Sequence, residues 1–343
     1  MNPVAINARF QVQALTGVQR FAAEITAALT AIWPAERATL RLLKPGGGGA
    51  RGQLWEQVVL PIAAGGGVLV NLGNTAPIMR GRQVVVIHDA GPAAQPEAYG
   101  WKFRLWYRVM HGALFAGRSR IVTVSAFARD ELVRLHGVAP SSIAILGEGA
   151  EHILRPAASP SILAAHGLEP GRFVLVVGSL AAHKNLPALG ATARMLAARG
   201  IELVITGGLA GNVFAGGAPL PAPARYIGRV DDGELRALYA AAACFVFPSR
   251  YEGFGLPAVE AMACGCPVIS SRAASLPEVC GDAAIYCDPA APDDIARAVA
   301  ELLDTPGRAA ELRARGFARA AETTWHRAAE RLRDVIFEVE TSR

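Results

Sequence analysis

The chain has 343 residues, 52% of them hydrophobic and 18% charged, with a net charge of +5. That length and half-apolar content suffice for two ordinary domains with buried cores, and exclude a disordered, fibrous or disulfide-built protein. The positive balance suits an anionic ligand or an acidic membrane surface. Lys and Arg interleaved with Glu and Asp argue against a nucleic-acid partner.

The N-terminus, MNPVAINARFQVQ, shows no apolar run behind a basic start, and no later stretch reaches the ~18 apolar residues of a membrane span. A cytoplasmic protein is expected. The first candidate strand is VAINAR (4–9). ALTGVQRFAAEI (14–25) then places Gly17 and Val18 just before an apolar-periodic helix. The tract GGGGARG (46–52) satisfies G-x-G-x-x-G, yet Pro45 and four consecutive glycines read as a flexible loop, and no acidic residue stands at the distance a dinucleotide site needs. Candidate strands GVLVNLG (67–73) and QVVVIHD (83–89) follow, the second ending in His88 and Asp89.

WKFRLWYRVMHGALFAGRSR (101–120) puts Phe103, Trp106, Tyr107, Met110 and Leu114 on one helical stripe, with Lys102, Arg104 and Arg108 around it. Two readings stand: a core-facing helix with solvated arginines, or a basic aromatic helix lying on an anionic bilayer. Beyond it, IVTVS (121–125), FVLVVGS (173–179) and IELVITGG (201–208) alternate with the helical patterns AFARDELVRLHG and NLPALGATARMLAARG. This is the rhythm of parallel sheets with helices on both faces. ARYIGRV (224–230), CFVFPS (244–249), CPVISS (266–271) and AAIYCD (283–288) complete a set too large for one compact sheet. Two Rossmann-like domains, 1–160 and 161–322, are the economical solution, with a boundary in the Pro- and Ser-bearing stretch 154–172 and a last helix over 323–343. The cysteines 244, 264, 266, 280 and 287 lack the paired spacing of a zinc site and read as small buried hydrophobes; no metal ligands are assigned.

The strongest chemical signal is FPSRYEGFGLPAVEAMACGCPVISS (247–271). A strand ends, a glycine-containing turn follows, and Pro257 occupies the first turn of a helix, where its fixed φ is an asset. Gly265 is placed to end that helix. The amides of Phe254, Gly255 and Leu256 at its N-terminus suit a diphosphate, and Gly253 and Gly255 let the backbone come close. Glu252 before the turn and Glu260 one turn inside can accept hydrogen bonds from sugar hydroxyls. In GSLAAHKN (178–185), Asn185 can cap the next helix and Lys184 can neutralise a departing diphosphate.

These residues closely resemble the E-x7-E signature of the retaining GT-B glycosyltransferases of family 4, and GSLAAHKN resembles that family's G-x-L-x-x-x-K-N segment. The resemblance implies that Glu260 holds the ribose hydroxyls, Glu252 contacts the donor sugar and Lys184 the phosphates. Ser179, His183 and Val230 join the donor site on the same ground. Many members carry an Arg at the position of Ser179 or His183, and a protonated His183 or Arg250 could make up for its loss. VVVIHDAG resembles the family's HD segment, which sets His88 near the donor sugar and leaves Asp89 either structural or contacting. The Gly17 loop resembles the one between donor phosphate and acceptor.

The implied fold is α/β, GT-B: two facing Rossmann-like doubly wound domains, the first for acceptor and the second for nucleotide sugar, with the last helix crossing back. The implied chemistry is transfer of a hexose with retention, by front-face attack, with no cofactor required. INARF…TGVQRF, WEQVVLP, NLGNTAPI and HDAGP are most similar to bacterial exopolysaccharide or lipopolysaccharide mannosyltransferases. They imply GDP-mannose as donor and a polyprenyl-diphosphate-linked or other glycan acceptor, at the inner face of the plasma membrane. Alternatives are a glucosyl- or rhamnosyltransferase, an epimerase on the same fold, a silent nucleotide-sugar-binding scaffold, or a Rossmann oxidoreductase.

Overall fold

The computed structural model describes residues 3–37, 39–208 and 219–341. It divides into two compact units: Met1–Ala94 with Lys102–Glu148 and Trp325–Arg343, and Gln95–Trp101 with Gly149–Thr324.

The first unit is built on β1 (Ala5–Asn7), β2 (Arg41–Leu43), β3 (Leu69–Asn71), β4 (Gln83–Val86), β5 (Arg120–Thr123) and β6 (Ala144–Ile145). They form one sheet in the order β2-β1-β3-β4-β5-β6, with every pairing parallel. Its helices are α1 (Gly17–Ala31), α2 (Gly49–Ala63), α3 (Gly91–Ala94), α4 (Trp101–Ala116) and α5 (Ala126–His136). β1, β3 and β4 are buried along their whole length because helices cover both faces, so their runs are apolar instead of alternating. β2 and β6 were not foreseen; three and two residues long at the edges, they carry too little pattern to register.

Two expectations fail here. The glycine tract is not wholly a loop, since α2 begins at Gly49 and takes in Gly52. Gly17 does not precede α1 but is its first residue, behind Thr16. On α4 the stripe of Met110, Leu114, Trp106 and Tyr107 packs into a core with Val85, Ile87 and Ile121. The core-facing reading of those aromatics is the one observed, and the apolar residues left exposed on α4 are Trp101, Leu105 and Val109.

The second unit contains β7 (Phe173–Val177), β8 (Glu202–Thr206), β9 (Arg225–Tyr226), β10 (Cys244–Phe247), β11 (Val268–Ser271) and β12 (Ala284–Cys287). The parallel order is β12-β11-β10-β7-β8-β9. The chain winds outward from β7 to β9, then returns to the other side of β7 with β10, so the direction of winding reverses between β7 and β10. That reversal opens a crevice at the carboxyl ends of the two strands. The helices are α6 (Ser161–Ala165), α7 (Gly190–Ala198), α8 (Asp232–Ala241), α9 (Leu256–Ala263), α10 (Leu276–Cys280), α11 (Pro292–Asp304) and α12 (Arg308–Glu322). α13 (Trp325–Thr341) closes the described chain and packs on α1 in the first unit, where Trp325 meets Phe21 edge-on at 5.7 Å.

α9 ends as its sequence predicts. Gly265 is left-handed at φ +71°, its N–H bonds Met262 O at 3.0 Å, and Cys266 N–H bonds Ala261 O at 2.8 Å. A Cβ at Gly265 would lie 2.7 Å from the Phe317 ring of α12, so packing as well as backbone conformation demands glycine. The cysteines carry free thiols. Burial pushes those of Cys244 and Cys280 up to about 12, so they stay protonated and inert at neutral pH.

Candidate active site

The two loops that leave β7 and β10 meet at the reversal of the second sheet. Gly178 continues from β7, and its carbonyl is approached by Gly207 at the end of β8: a Cβ on Gly207 would lie 2.0 Å from Gly178 O. No side chain fits there. Ser179 follows, half-buried and uncharged. Lys184 folds back over Gly178 and places Nζ 2.7 Å from Glu252 Oε1. Two residues expected at one site are thus an ion pair 68 positions apart in sequence, with side chains 16% and 12% exposed.

Asn185 does not cap a helix with its side chain, contrary to expectation. It adopts a left-handed conformation at φ +59° and spends Nδ2 on two carbonyls, Pro248 O at 3.0 Å and Pro289 O at 2.8 Å. It ties the β7 loop to the exits of β10 and β12. His183 supplies no cation either. Burial, then the neighbouring Lys184 charge, lowers its pKa to about 4, so the ring is neutral at pH 7. Arg250 is exposed, and its backbone N–H bonds His183 O at 2.8 Å.

The turn after β10 is set by Gly255 and Ser275. Gly255 has φ +103°, and a Cβ there would lie 2.5 Å from Leu276 Cδ2. The buried Ser275 hydroxyl shares its hydrogen between Phe254 O at 2.7 Å and Glu252 O at 3.0 Å. Those bonds fix the two carbonyls in the turn that carries the amides of Phe254, Gly255 and Leu256. These amides donate to no acceptor among the described residues. Free N–H groups at the start of a helix suit an anion.

Glu260, one turn into α9, is only 7% exposed. Its Oε1 lies 2.8 Å from His152 Nε2 and its Oε2 accepts from Tyr239 Oη at 3.3 Å. Burial, then the Glu260 charge, raises the Tyr239 pKa, which keeps the phenol a donor. His152, Tyr239 and Ser275 were not singled out from sequence; His152 stands 108 positions before Glu260 in an unpatterned segment. Val230 lies half-buried in the segment after β9.

The remaining candidates belong to the first unit. His88 is 5% exposed, with Nε2 3.1 Å from Leu72 O, Nδ1 3.6 Å from Glu148 Oε1, and its ring edge-on to Phe21 at 4.6 Å. Asp89 Oδ1 accepts from Gly91 N–H at 2.7 Å and braces the start of α3. Gly17 opens α1 with open space where a Cβ would stand.

A family model described as "Glycosyl transferases group 1" matches residues 160–319, the region that carries Lys184, Glu252 and Glu260. The O-antigen chain mannosyltransferase B of Escherichia coli is 34% identical over 257 residues, 71% of this chain and 67% of that protein. The chain belongs to the group 1 glycosyltransferases. Like other members of that family, it is a glycosyltransferase enzyme. D-inositol 3-phosphate glycosyltransferase 1 of Catenulispora acidiphila is 30% identical over 64% of this chain and 57% of its own length.

Among solved structures, sucrose-phosphate synthase from Thermosynechococcus elongatus superposes with a TM-score of 0.74 at 19% identity, each chain covered completely. Anabaena HepE in complex with UDP and glucose gives a TM-score of 0.72 at 14% identity, with 98% of this chain and 100% of that one covered. The fold of this glycosyltransferase is therefore GT-B, and HepE has also been solved in complex with UDP-glucose.

Proposed function

We propose that the chain is a retaining mannosyltransferase that moves mannose from GDP-mannose to a lipid-linked saccharide in cell-surface polysaccharide synthesis. The observation that carries this reading is the Lys184–Glu252 pair set beside the open amides of Phe254, Gly255 and Leu256. The amides and Lys184 take the diphosphate. Glu260, oriented by His152 and Tyr239, takes the ribose hydroxyls, and Glu252 the sugar. Lys184 then neutralises the departing diphosphate, whose oxygen accepts the proton of the attacking hydroxyl, so retention needs no carboxylate nucleophile. His88 is assigned to the sugar and Gly17 to the acceptor on family resemblance. Mannose is supported by the O-antigen mannosyltransferase relative.

The test is a donor panel of GDP-mannose, UDP-glucose and dTDP-rhamnose, run with a membrane-lipid extract and scored for both nucleotide release and labelled lipid. GDP-mannose is expected to lead by at least tenfold. A lead by UDP-glucose would favour the glucosyltransferase reading, which the HepE complex makes the second choice. No turnover with any donor would favour a silent scaffold.

An anionic membrane is the proposed surface partner. Trp101, Leu105 and Val109 are 66%, 53% and 54% exposed at i, i+4 and i+8 on α4, and Lys102, Arg104 and Arg108 are exposed around them. No helix among the described residues is long and apolar enough to cross a membrane. Flotation with phosphatidylglycerol vesicles should capture the protein, and Leu105→Glu with Val109→Glu should abolish capture; equal binding to phosphatidylcholine would refute the charge component.

A further inference from the structure

The first unit holds a cavity that none of the donor-site residues lines. It is a groove of about 460 Å³ on the flank of α1, between that helix and the segment that leads into it from β1. Its volume falls in the range of small-molecule sites, about 300–1,000 Å³. The 3-10 turn Arg9–Val12 and the residues after it form one wall, and one side of α1 forms the floor.

The floor is low because its side chains are small. Gln19, Ala23 and Ala27 stand at i, i+4 and i+8 on one stripe of α1, and span about 12 Å along its axis. α1 starts at the carboxyl edge of the sheet and runs back along it, so the Ala27 end of the groove lies farther from that edge than Gln19 does. Small residues alone recognise nothing; the walls supply the chemistry.

Those walls carry amides and a ring. Gln19 is held at both ends, since its Oε1 accepts from Thr16 Oγ1 and its Nε2 donates to Gln13 Oε1 at 3.1 Å. That bond orients the Gln13 amide and leaves Gln13 Nε2 a donor with no acceptor among the described residues. The Gln11 side chain bonds nothing among the described residues. Thr26, buried beside the floor, donates to Ala22 O at 2.6 Å, which keeps its oxygen lone pairs for an incoming donor. The ring of Phe10 meets no other ring among the described residues, and Leu15, 41% exposed, adds an apolar edge.

Charge is missing from this set. No Lys, Arg, Asp or Glu among the described residues lines the groove, in a chain where 18% of residues are charged. Arg9, which begins the turn, is bound to the fully buried Glu56 of α2, to which Asn7 Nδ2 and Thr75 Oγ1 also donate. Arg20 faces Glu24 at 3.8 Å on α1. Without a cation, nothing repays the dehydration of a phosphate or carboxylate. Amides that donate, a hydroxyl oxygen that accepts and an open aromatic ring match a neutral polyol, whose hydroxyls do both and whose C–H faces pack on the ring.

We propose that this groove binds a neutral saccharide, namely the sugar units of the acceptor that are remote from the attacking hydroxyl. The assignment to the acceptor rests on the lipid-linked reading above; the saccharide site itself does not. Gln11, Gln13 and Thr26 bond hydroxyls, Phe10 carries a pyranose face, and Gln19 is the positioning residue that holds Gln13.

The test compares the wild type with Ala27→Trp, which fills the floor from an exposed helix position, and Gln13→Ala, which removes the oriented donor. Calorimetric titration uses mannotetraose and maltotetraose as neutral probes. The wild type should bind at least one of them, and both variants should bind it at least about tenfold more weakly at an unchanged melting temperature. Binding of neither probe at millimolar concentration, equal binding in all three proteins, or a loss confined to one variant would overturn the site. In the turnover arm, the wild-type KM should fall as the lipid-linked acceptor lengthens from one sugar to four, and both variants should flatten that fall with kcat and donor KM unchanged. Probe binding lost while the dependence on acceptor length stays would overturn the acceptor assignment and keep the site. Because titration needs no turnover, a protein inactive on every donor would fail the functional reading and leave this one measurable.

Discussion

The two sheets reverse their winding at β1/β3 and at β7/β10, and the two reversals are furnished in opposite ways. At β7/β10 the charges are an amine and a carboxylate that keep 16% and 12% of their surface, beside backbone amides with nothing to bond. At β1/β3 the carboxylate is wholly enclosed by an arginine, an asparagine and a threonine. A partly wet pair can exchange partners when an anion arrives, at little cost to the fold. An enclosed carboxylate is part of the fold, and its partners cannot be exchanged without loss of stability. The same switch-point geometry therefore carries an adjustable ion pair in one unit and a structural one in the other.

The largest expected effect tests the rigid side. Glu56→Ala takes the enclosed carboxylate away from the mostly buried Arg9 guanidinium and the buried Asn7 amide, and should remove about 3 kcal/mol of stability, read as a lower urea midpoint. A shift below about 1 kcal/mol would show the network to be hydrated. On the adjustable side, Lys184→Ala should lower kcat by about 10²–10³-fold, as loss of a charge stabiliser does, while the urea midpoint barely moves. Comparable losses of stability from both variants would erase the contrast.

A smaller effect separates orientation from charge within the second unit. His152→Phe removes the 2.8 Å partner of Glu260 and should weaken nucleotide binding by about 1–3 kcal/mol, with kcat less affected. If nucleotide affinity holds and only melting changes, His152 serves the fold alone.

The smallest effect is a pH dependence shared by both units. His111 and His183 each have pKa values lowered to about 4, in both cases chiefly by burial. The unfolded chain binds their protons below about 6.5 and the folded one does not, so stability is full above that pH and drains as pH falls toward 4. Between pH 7 and 6 each should account for about 1 kcal/mol or less. Burial lowers the His136 pKa as well, so replacing His111 with Asn should remove only its own share of that slope, measured as urea midpoint against pH.

What was legible in sequence follows from distance along the chain. Glu252, Pro257, Glu260 and Gly265 lie within one strand–turn–helix, so spacing alone sets their relation, and the structure keeps it. Lys184 was legible as a cation after a strand but not as the partner of Glu252. His152, Tyr239 and Ser275 were illegible because each reaches the site from its own element, a short 3-10 turn, α8 and the start of α10. Asn185 misled for another reason: a cap residue by type, it takes a left-handed backbone and binds carbonyls of two other loops. On α4 the periodicity was legible but left two readings, and the structure chooses the core-facing one, with Leu105 and Val109 on the outside.

Ser275 has a consequence for anyone who would transplant this chemistry. One hydroxyl restrains the carbonyls of Glu252 and Phe254 from outside the segment they belong to. A chimera that swaps only residues 252–260 between relatives inherits the glutamates without the hydroxyl that holds the carbonyls of their turn. The portable module is discontinuous, and it ends no earlier than residue 275.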